Sequence, residues 1–111
     1  MNVSISRDGD IAVAAVKGRV DSSNATEFDQ HLGEEIDGGA KYLAVDCADL
    51  AYISSAGLRV LLVAIRKTNA AGGSVSLCCV PGHIQEVLEV SGFSRLLGIH
   101  GSVEDAKKSF G

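Results

Sequence analysis

Apolar residues recur along the chain with two different spacings, which predict alternating strands and helices. Residues 2–6 (NVSIS) alternate polar and apolar side chains, and an Asp-Gly turn at 8–9 separates them from the apolar run 11–18 (IAVAAVKG). This pattern is typical of a β-hairpin, and its second strand, apolar on both faces, is expected to lie centrally in the sheet. Two short apolar runs, 41–47 and 74–80, are typical of strands that a parallel sheet buries on both faces.

Four other segments have the three- and four-residue spacing of apolar side chains that is typical of amphipathic helices. In the first, Asn24 and Glu27 have the spacing of a capping box, so Asn24 is expected to cap the helix. A short strand is expected near residues 97–99. The helical segments run from Ala25 to Gly38-Gly39, from the serines at 54–55 to Gly72-Gly73, from Pro81 to Gly92, and from Ser102 to Phe110.

The resulting order, β-β-α-β-α-β-α-β-α, predicts the fold class. It is an α/β fold with a mixed sheet of four to five strands and about four helices packed in layers. The chain has 111 residues, of which 46% are apolar, and such a chain can bury a core without disulfides. One domain is therefore expected over residues 1–111.

Composition and charge exclude several classes of partner. The formal net charge is −4 and there is no basic run, so no direct nucleic-acid partner is expected. No apolar stretch approaches the length of a membrane span, so no membrane partner is expected either. Cys47, Cys78 and Cys79 are odd in number, and no signal-peptide pattern precedes them, which indicates a cytoplasmic protein with reduced, buried cysteines. The histidines lack ligand spacing, and we expect no metal or cofactor.

Sequence motifs of common enzyme classes are missing. The loop after Asp46 has neither the dinucleotide-binding nor the P-loop pattern of glycines. The residues around Ser55 read S-S-A-G and lack the nucleophile elbow G-x-S-x-G. Nothing in the spacing of the histidines supplies the base that a catalytic serine needs. The sequence therefore favours a binding protein over an enzyme.

The stretch 43–62, LAVDCADLAYISSAGLRVLL, carries the most functional information. Its pattern indicates a buried strand, a loop and two serines where a helix begins. A serine at that place caps free backbone N–H groups, and a phosphate is well tolerated there too. Ser54 and Ser55 are therefore candidates for a cap and for a modification site. Asp21 and Asp46 each end a predicted strand, and we expect them at the same sheet edge as the serines, as loop-ordering or partner-binding carboxylates.

Residues 46–62 resemble the STAS domain of bacterial anti-sigma-factor antagonists. In that family a strand ends in Asp, and after a short loop the motif Asp-Ser-Ser/Thr-Gly-Leu opens a helix. Here Gly57 and Leu58 set the register, which assigns the family's phosphorylated serine to Ser55 and puts Ser54 where the family usually has Asp. Further similarities are G-R-V-D at 18–21 and the pattern of Pro81, Leu88, Ser91 and Gly92.

The resemblance implies the STAS fold and a phosphorylation-controlled binding switch without catalytic activity. The unphosphorylated protein, monomeric when free, would bind a GHKL-type anti-sigma factor serine kinase. Phosphorylation of Ser55 would release it, and a PP2C-type phosphatase would reverse the modification. The alternative is a phosphorylation-independent STAS scaffold, such as a subunit of a transport or stress-sensing complex. The partner-binding residues implied by the resemblance are Asp21, Asp46, Ser54, Ser55 and Gly57.

Overall fold

The computed structural model describes residues 1–110 and shows a six-stranded sheet with four α-helices. The α/β class, the mixed sheet and the layered arrangement are thereby confirmed, whereas the predicted domain end at Gly111 lies outside the described residues. None of the helices seen in residues 1–110 is long and apolar enough to cross a membrane. The elements are β1 (Asn2–Asp8), β2 (Ile11–Val20), α1 (Ala25–Asp37), β3 (Tyr42–Asp46), β4 (Leu50–Ile53), α2 (Ser55–Ala70), β5 (Ser74–Cys78), α3 (Gly82–Ser91), a 3-10 turn (Phe93–Arg95), β6 (Gly98–His100) and α4 (Val103–Ser109).

The sheet is built around β2, as its apolar pattern predicts. β1 pairs with β2 antiparallel, while β3, β5 and β6 follow in parallel, giving the order β1-β2-β3-β5-β6. The hairpin turns at Gly9, whose φ of +59° is in the left-handed region that glycine tolerates. Because β2 has strands on both sides and side chains packed on both faces, few of its positions accept a polar residue.

The structure adds a strand where the sequence predicted a loop. Residues 50–53 form β4, which pairs in parallel with the last residues of β2, so that Val20 lies opposite Ile53. The register shifts between Gly18 and Arg19, and the Gly18 N–H donates to the carbonyl of Asp49 at 3.0 Å. Only the two ends of β4 are buried, so its four residues lack the alternation by which a strand is recognised.

The two faces of the sheet carry separate hydrophobic cores. On one face, residues of α1, α2 and α3 such as Phe28, Leu61 and Leu88 pack on the sheet and form the large core. On the other face, α4 alone covers the sheet, and Ala106 packs with Val13, Ala44 and Cys78 in the small core. The Phe110 ring, which follows α4, stacks on Tyr42 with 5.0 Å between ring centroids.

Most helix ends match the predictions, and one does not. The Ser102 hydroxyl accepts a hydrogen bond from the Asp105 N–H, and Gly92 ends α3 with φ +81°. At α1, however, the Asn24 side chain makes no hydrogen bond to the helix, so the predicted capping box is wrong. Its amide instead donates to the carbonyl of Arg19 and accepts from the N–H of Asp21, both at 2.9 Å. Asn24 therefore orders the loop after β2 rather than the first turn of α1.

Candidate functional site

Ser54 and Ser55 lie between β4 and α2, but their hydroxyl groups have different surroundings. Ser54 is the N-cap residue of α2: its Oγ accepts a hydrogen bond from the Gly57 N–H at 3.3 Å. The Ser54 N–H donates to the carbonyl of Val20 at 2.9 Å. Ser55 is the first helical residue and is exposed, and its hydroxyl has no hydrogen-bond partner among residues 1–110. The Ser54 hydroxyl therefore stabilises the helix start, while the Ser55 hydroxyl is available to another molecule.

Gly57 allows the first turn of α2 to lie directly against the sheet. A Cβ at this position would lie 2.6 Å from Cγ1 of Ile53 and 2.9 Å from Cγ1 of Val20. Real side chains do not approach so closely, so any larger residue would push the helix start outward. Gly57 is buried beneath the serines. It therefore contributes to the predicted partner-binding surface by positioning the serines.

Asp21 lies beside the serines because the strand ends that precede them, Val20 and Ile53, are paired. Its Oδ1 accepts hydrogen bonds from the hydroxyl and the backbone N–H of Ser23. The hydroxyl bond, the backbone bond and the nearby Arg19 charge hold the pKa of Asp21 below its ordinary value of 3.8. Asp21 is therefore a fixed negative charge at neutral pH.

Asp46 does not share this location, although it also ends a strand. It pairs with Ala15 of β2, whereas Ile53, two residues before Ser55, pairs five residues further along β2. At about 3.3 Å per residue, these two pairing positions are separated by roughly 15 Å. The predicted proximity of Asp46 to Ser55 is therefore wrong. The reason is that β4 pairs with the part of β2 that extends beyond the end of β3, and the serines follow β4. The Oδ1 of Asp46 accepts from the Ala48 N–H at 3.1 Å and orders the loop that leads to β4.

Two further residues of this region escaped the sequence reasoning because they meet only across paired strands. Arg19 and Tyr52 lie opposite each other on β2 and β4, and the guanidinium carbon of Arg19 lies 4.3 Å from the centre of the Tyr52 ring. The ring is 40% exposed, which makes it one of the large apolar side chains open to solvent. We call the group formed by Arg19, Asp21, Tyr52, Ser54 and Ser55 the serine surface.

The His83 ring joins α3 to the strand that carries the serines. Its Nε2 lies 2.7 Å from the carbonyl oxygen of Ala51, in the middle of β4. His83 is itself exposed and does not reach the hydroxyl of Ser55 by any hydrogen bond that residues 1–110 show. His83 therefore links α3 to β4 and is not positioned as a base for Ser55.

The cysteines are free thiols in the described part of the chain. Cys47 is 2% exposed and Cys78 is fully buried, as predicted, while Cys79 is half-buried. Burial raises the pKa of both Cys47 and Cys78 to about 12, so both are protonated at neutral pH. Neither is an activated nucleophile.

Comparisons with known proteins identify the family to which the chain belongs. The profile of the STAS domain family matches residues 2–106. The chain is 33% identical over 110 residues to BtrV of Bordetella bronchiseptica, which is named as an anti-sigma factor antagonist. That alignment covers 99% of this chain and 95% of BtrV.

Solved structures share the fold at low sequence identity. A Thermotoga maritima protein described as an anti-sigma factor antagonist has a TM-score of 0.91 and 17% identity, covering 97% of this chain and 93% of its own. Phosphorylated SpoIIAA from Bacillus has a TM-score of 0.77 and 16% identity, covering 97% of this chain and 98% of its own. With the family profile and BtrV matching almost the whole sequence, the chain belongs to the STAS domain family.

Proposed function

We propose that this STAS domain is a cytoplasmic anti-sigma factor antagonist that works as a phosphorylation-controlled binding switch. The unphosphorylated protein, monomeric when free, binds an anti-sigma factor that is also a GHKL-type serine kinase. Phosphorylation of Ser55 releases it, and a PP2C-type phosphatase restores it. The observation that carries this proposal is a contrast: the Ser54 hydroxyl is hydrogen-bonded, whereas the exposed Ser55 hydroxyl has no partner among residues 1–110. The name of BtrV and the existence of a phosphorylated SpoIIAA support it.

A phosphate on Ser55 is compatible with the fold. It adds about −1.5 to −2 charges at neutral pH. In the first turn of α2 it meets free backbone N–H groups and the positive end of the helix dipole. At an exposed position this interaction stabilises the folded state by roughly 0.3–1 kcal/mol. The domain is therefore expected to remain folded when it is modified, so the switch must act at the interface.

At a docked interface the same phosphate opposes binding. Burying it against a surface shaped for a hydroxyl costs several kcal/mol unless the partner supplies a cation. Asp21, ionised at neutral pH, adds a second negative charge to the serine surface. A loss of about 2.8 kcal/mol weakens binding a hundredfold, which is enough to reverse an exchange of partners.

The other residues of the serine surface supply the attraction. Tyr52 offers an exposed ring stacked under Arg19, and aromatic and arginine side chains are the usual centres of binding energy at interfaces. Asp46 lies outside this surface, and its proposed contribution is to order the loop that leads to β4. We expect Arg19→Ala and Tyr52→Ala to weaken kinase binding more than Asp46→Asn does.

Incubation with ATP and the cognate kinase, followed by intact mass measurement, tests the site of modification. Ser55→Ala should abolish phosphate incorporation, and Ser54→Ala should leave most of it. A phosphopeptide mapped to Ser54 would contradict the assignment. Kinase binding without any incorporation would instead favour the phosphorylation-independent scaffold.

Calorimetry of the phosphorylated and unmodified proteins tests the mechanism. The melting temperature should stay within a few degrees, and the dissociation constant for the kinase should rise at least a hundredfold. Ser55→Glu should likewise raise the dissociation constant for the kinase and leave the melting temperature nearly unchanged. Treatment of the phosphorylated protein with a PP2C-type phosphatase should restore binding. A large drop in melting temperature, or an unchanged dissociation constant, would overturn the mechanism.

A further inference from the structure

A second group of polar side chains lies on the face of the sheet that α4 covers. It consists of Asp46 at the end of β3 together with Cys78 and Cys79 at the end of β5. A carboxylate oxygen and the two sulfur atoms all lie within 4.8 Å of one another. Asp46 and Cys78 are opposite each other in the parallel pairing of the two strands. More than thirty residues separate them in the chain, so the sheet is what brings them together.

The backbone at Cys79 places two consecutive thiols side by side. In a regular strand successive side chains point to opposite faces, so Cys79 would point away from Cys78. Cys79 instead has φ +57°, and it is the one non-glycine residue with a positive φ among residues 1–110. Its side chain therefore packs with Cys78 in the small core. A left-handed conformation at a residue other than glycine carries strain, and here it brings the sulfur atoms of Cys78 and Cys79 together.

The donor atoms of this cluster are weakly engaged. The thiol of Cys78 contacts the carbonyl oxygen of Val45 at 3.6 Å, and that of Cys79 contacts the carbonyl oxygen of Gly101 at 3.7 Å. Asp46 uses Oδ1 to accept from the Ala48 N–H, which leaves Oδ2 without a donor among the described residues. Thiols are weak hydrogen-bond donors, so replacing these contacts with metal bonds costs little free energy.

We propose that Asp46, Cys78 and Cys79 bind one thiophilic divalent cation of the Zn²⁺ class, with water as the fourth ligand. Two sulfur ligands favour such a cation over Mg²⁺ or Ca²⁺, which prefer oxygen. With bond lengths of about 2.0–2.3 Å, tetrahedral ligand atoms lie roughly 3.3–3.8 Å apart, so the donors need to close by about 1 Å. The ion displaces the thiol protons as it binds, because a coordinating thiol is deprotonated.

Two of the three proposed ligands, Asp46 and Cys79, are partly accessible to solvent. Asp46 lines a surface depression of about 100 Å³ together with Lys17, Asp49 and residues of β1. Its lining includes two carboxylates and one lysine. Cys79 is half-buried, so an ion can meet Asp46 and Cys79 first and Cys78 last. Once bound, it would tie the end of β3 to the end of β5.

Titration of the purified full chain with Cd²⁺ tests the proposal, because cadmium–thiolate bonds absorb in the ultraviolet. We expect one equivalent bound with the band of two thiolates, displaced by Zn²⁺. Cys79→Ser should weaken binding at least tenfold and remove part of the band. Asp46→Asn should weaken binding about tenfold and keep the band.

Cys47→Ser is the matched control, because Cys47 contacts the same Val45 carbonyl at 3.6 Å but belongs to the large core. It should bind Cd²⁺ as tightly as the wild type does. Cys78 is fully buried, so the decision rests on the half-buried Cys79, with circular dichroism confirming that each variant is folded. Absence of a saturable band at one equivalent, unchanged binding in Cys79→Ser, or loss of binding in Cys47→Ser would overturn the proposal.

Discussion

The two faces of the sheet differ in how deeply they are packed. Three helices and most of the apolar side chains cover one face, and that face includes the helix that begins at the serines. The other face has the short helix α4 and a core of four buried residues, and it leaves Asp46 next to an open depression. The deeply packed face holds α2 in one position, as the proposed partner-binding surface requires. The thinly covered face leaves Asp46 and Cys79 partly accessible, as the proposed cation site requires.

The largest expected difference between the faces is in stability. Phe28 is 1% exposed in the large core, and Phe28→Ala should lower the free energy of unfolding by about 3–5 kcal/mol. Phe110 is half-buried over Tyr42 on the opposite face, and Phe110→Ala should cost about 1–2 kcal/mol. Urea denaturation followed by circular dichroism measures both. Equal costs for the two variants would show that the faces contribute alike.

The next effect concerns the contact between the large core and the serines. Gly57→Ala places a methyl group against Ile53 and Val20 and should destabilise the protein by about 1–3 kcal/mol. Gly82 in the first turn of α3 is the matched control, because a Cβ there meets nothing within 4 Å. Gly82→Ala should leave the melting temperature unchanged or raise it slightly. A Gly57→Ala protein as stable as Gly82→Ala would mean that α2 does not rest closely on the strands.

A smaller effect should separate the two serines within the serine surface. Ser54→Ala removes the cap of α2 and should lower the free energy of unfolding by about 1 kcal/mol. Ser55→Ala removes an exposed hydroxyl that has no partner in the described part of the chain, and it should change the free energy of unfolding by less than about 0.5 kcal/mol. Thermal unfolding of both variants beside the wild type measures the difference. The reverse order of stabilities would contradict the assignment of Ser54 as the cap.

The smallest effect is the pH dependence that Asp21 contributes. Its pKa in the folded protein lies below 3.8, so its hydrogen bonds stabilise the fold above that pH, and this stabilisation is lost as the pH falls through the folded pKa. Asp21→Asn should therefore be slightly less stable than the wild type at neutral pH, and the difference should disappear in strong acid. Ser23→Ala, which removes the main cause of the lowered pKa, should reduce the same difference. A difference that grows towards low pH would give the opposite sign and refute the argument.

The sequence alone determined those parts of the fold and of the site that depend on residues close together in the chain. The apolar spacing of Phe28 with Leu32, and of Leu58 with Leu61, predicts helices and their buried faces, and both pairs are buried as expected. The cap at Ser54 depends on an N–H three residues away, so local spacing could predict it. The exposure of Ser55 follows from its position one residue later, at the start of the helix.

The tertiary structure decided what depends on register between strands. Neither β4 nor the register shift at Gly18 of β2 has a periodic signal, yet together they place the serines away from Asp46 and bring Arg19 to Tyr52. Asn24 has the spacing of a capping residue, but the paired strand end beside it offers its side chain better partners than the helix does. The meeting of Asp46 with Cys78 and Cys79 likewise needs the pairing of β3 with β5 and a left-handed residue after it. Helix periods and caps are local properties of a chain, whereas strand pairing joins distant residues, and only the folded sheet shows which of them become neighbours.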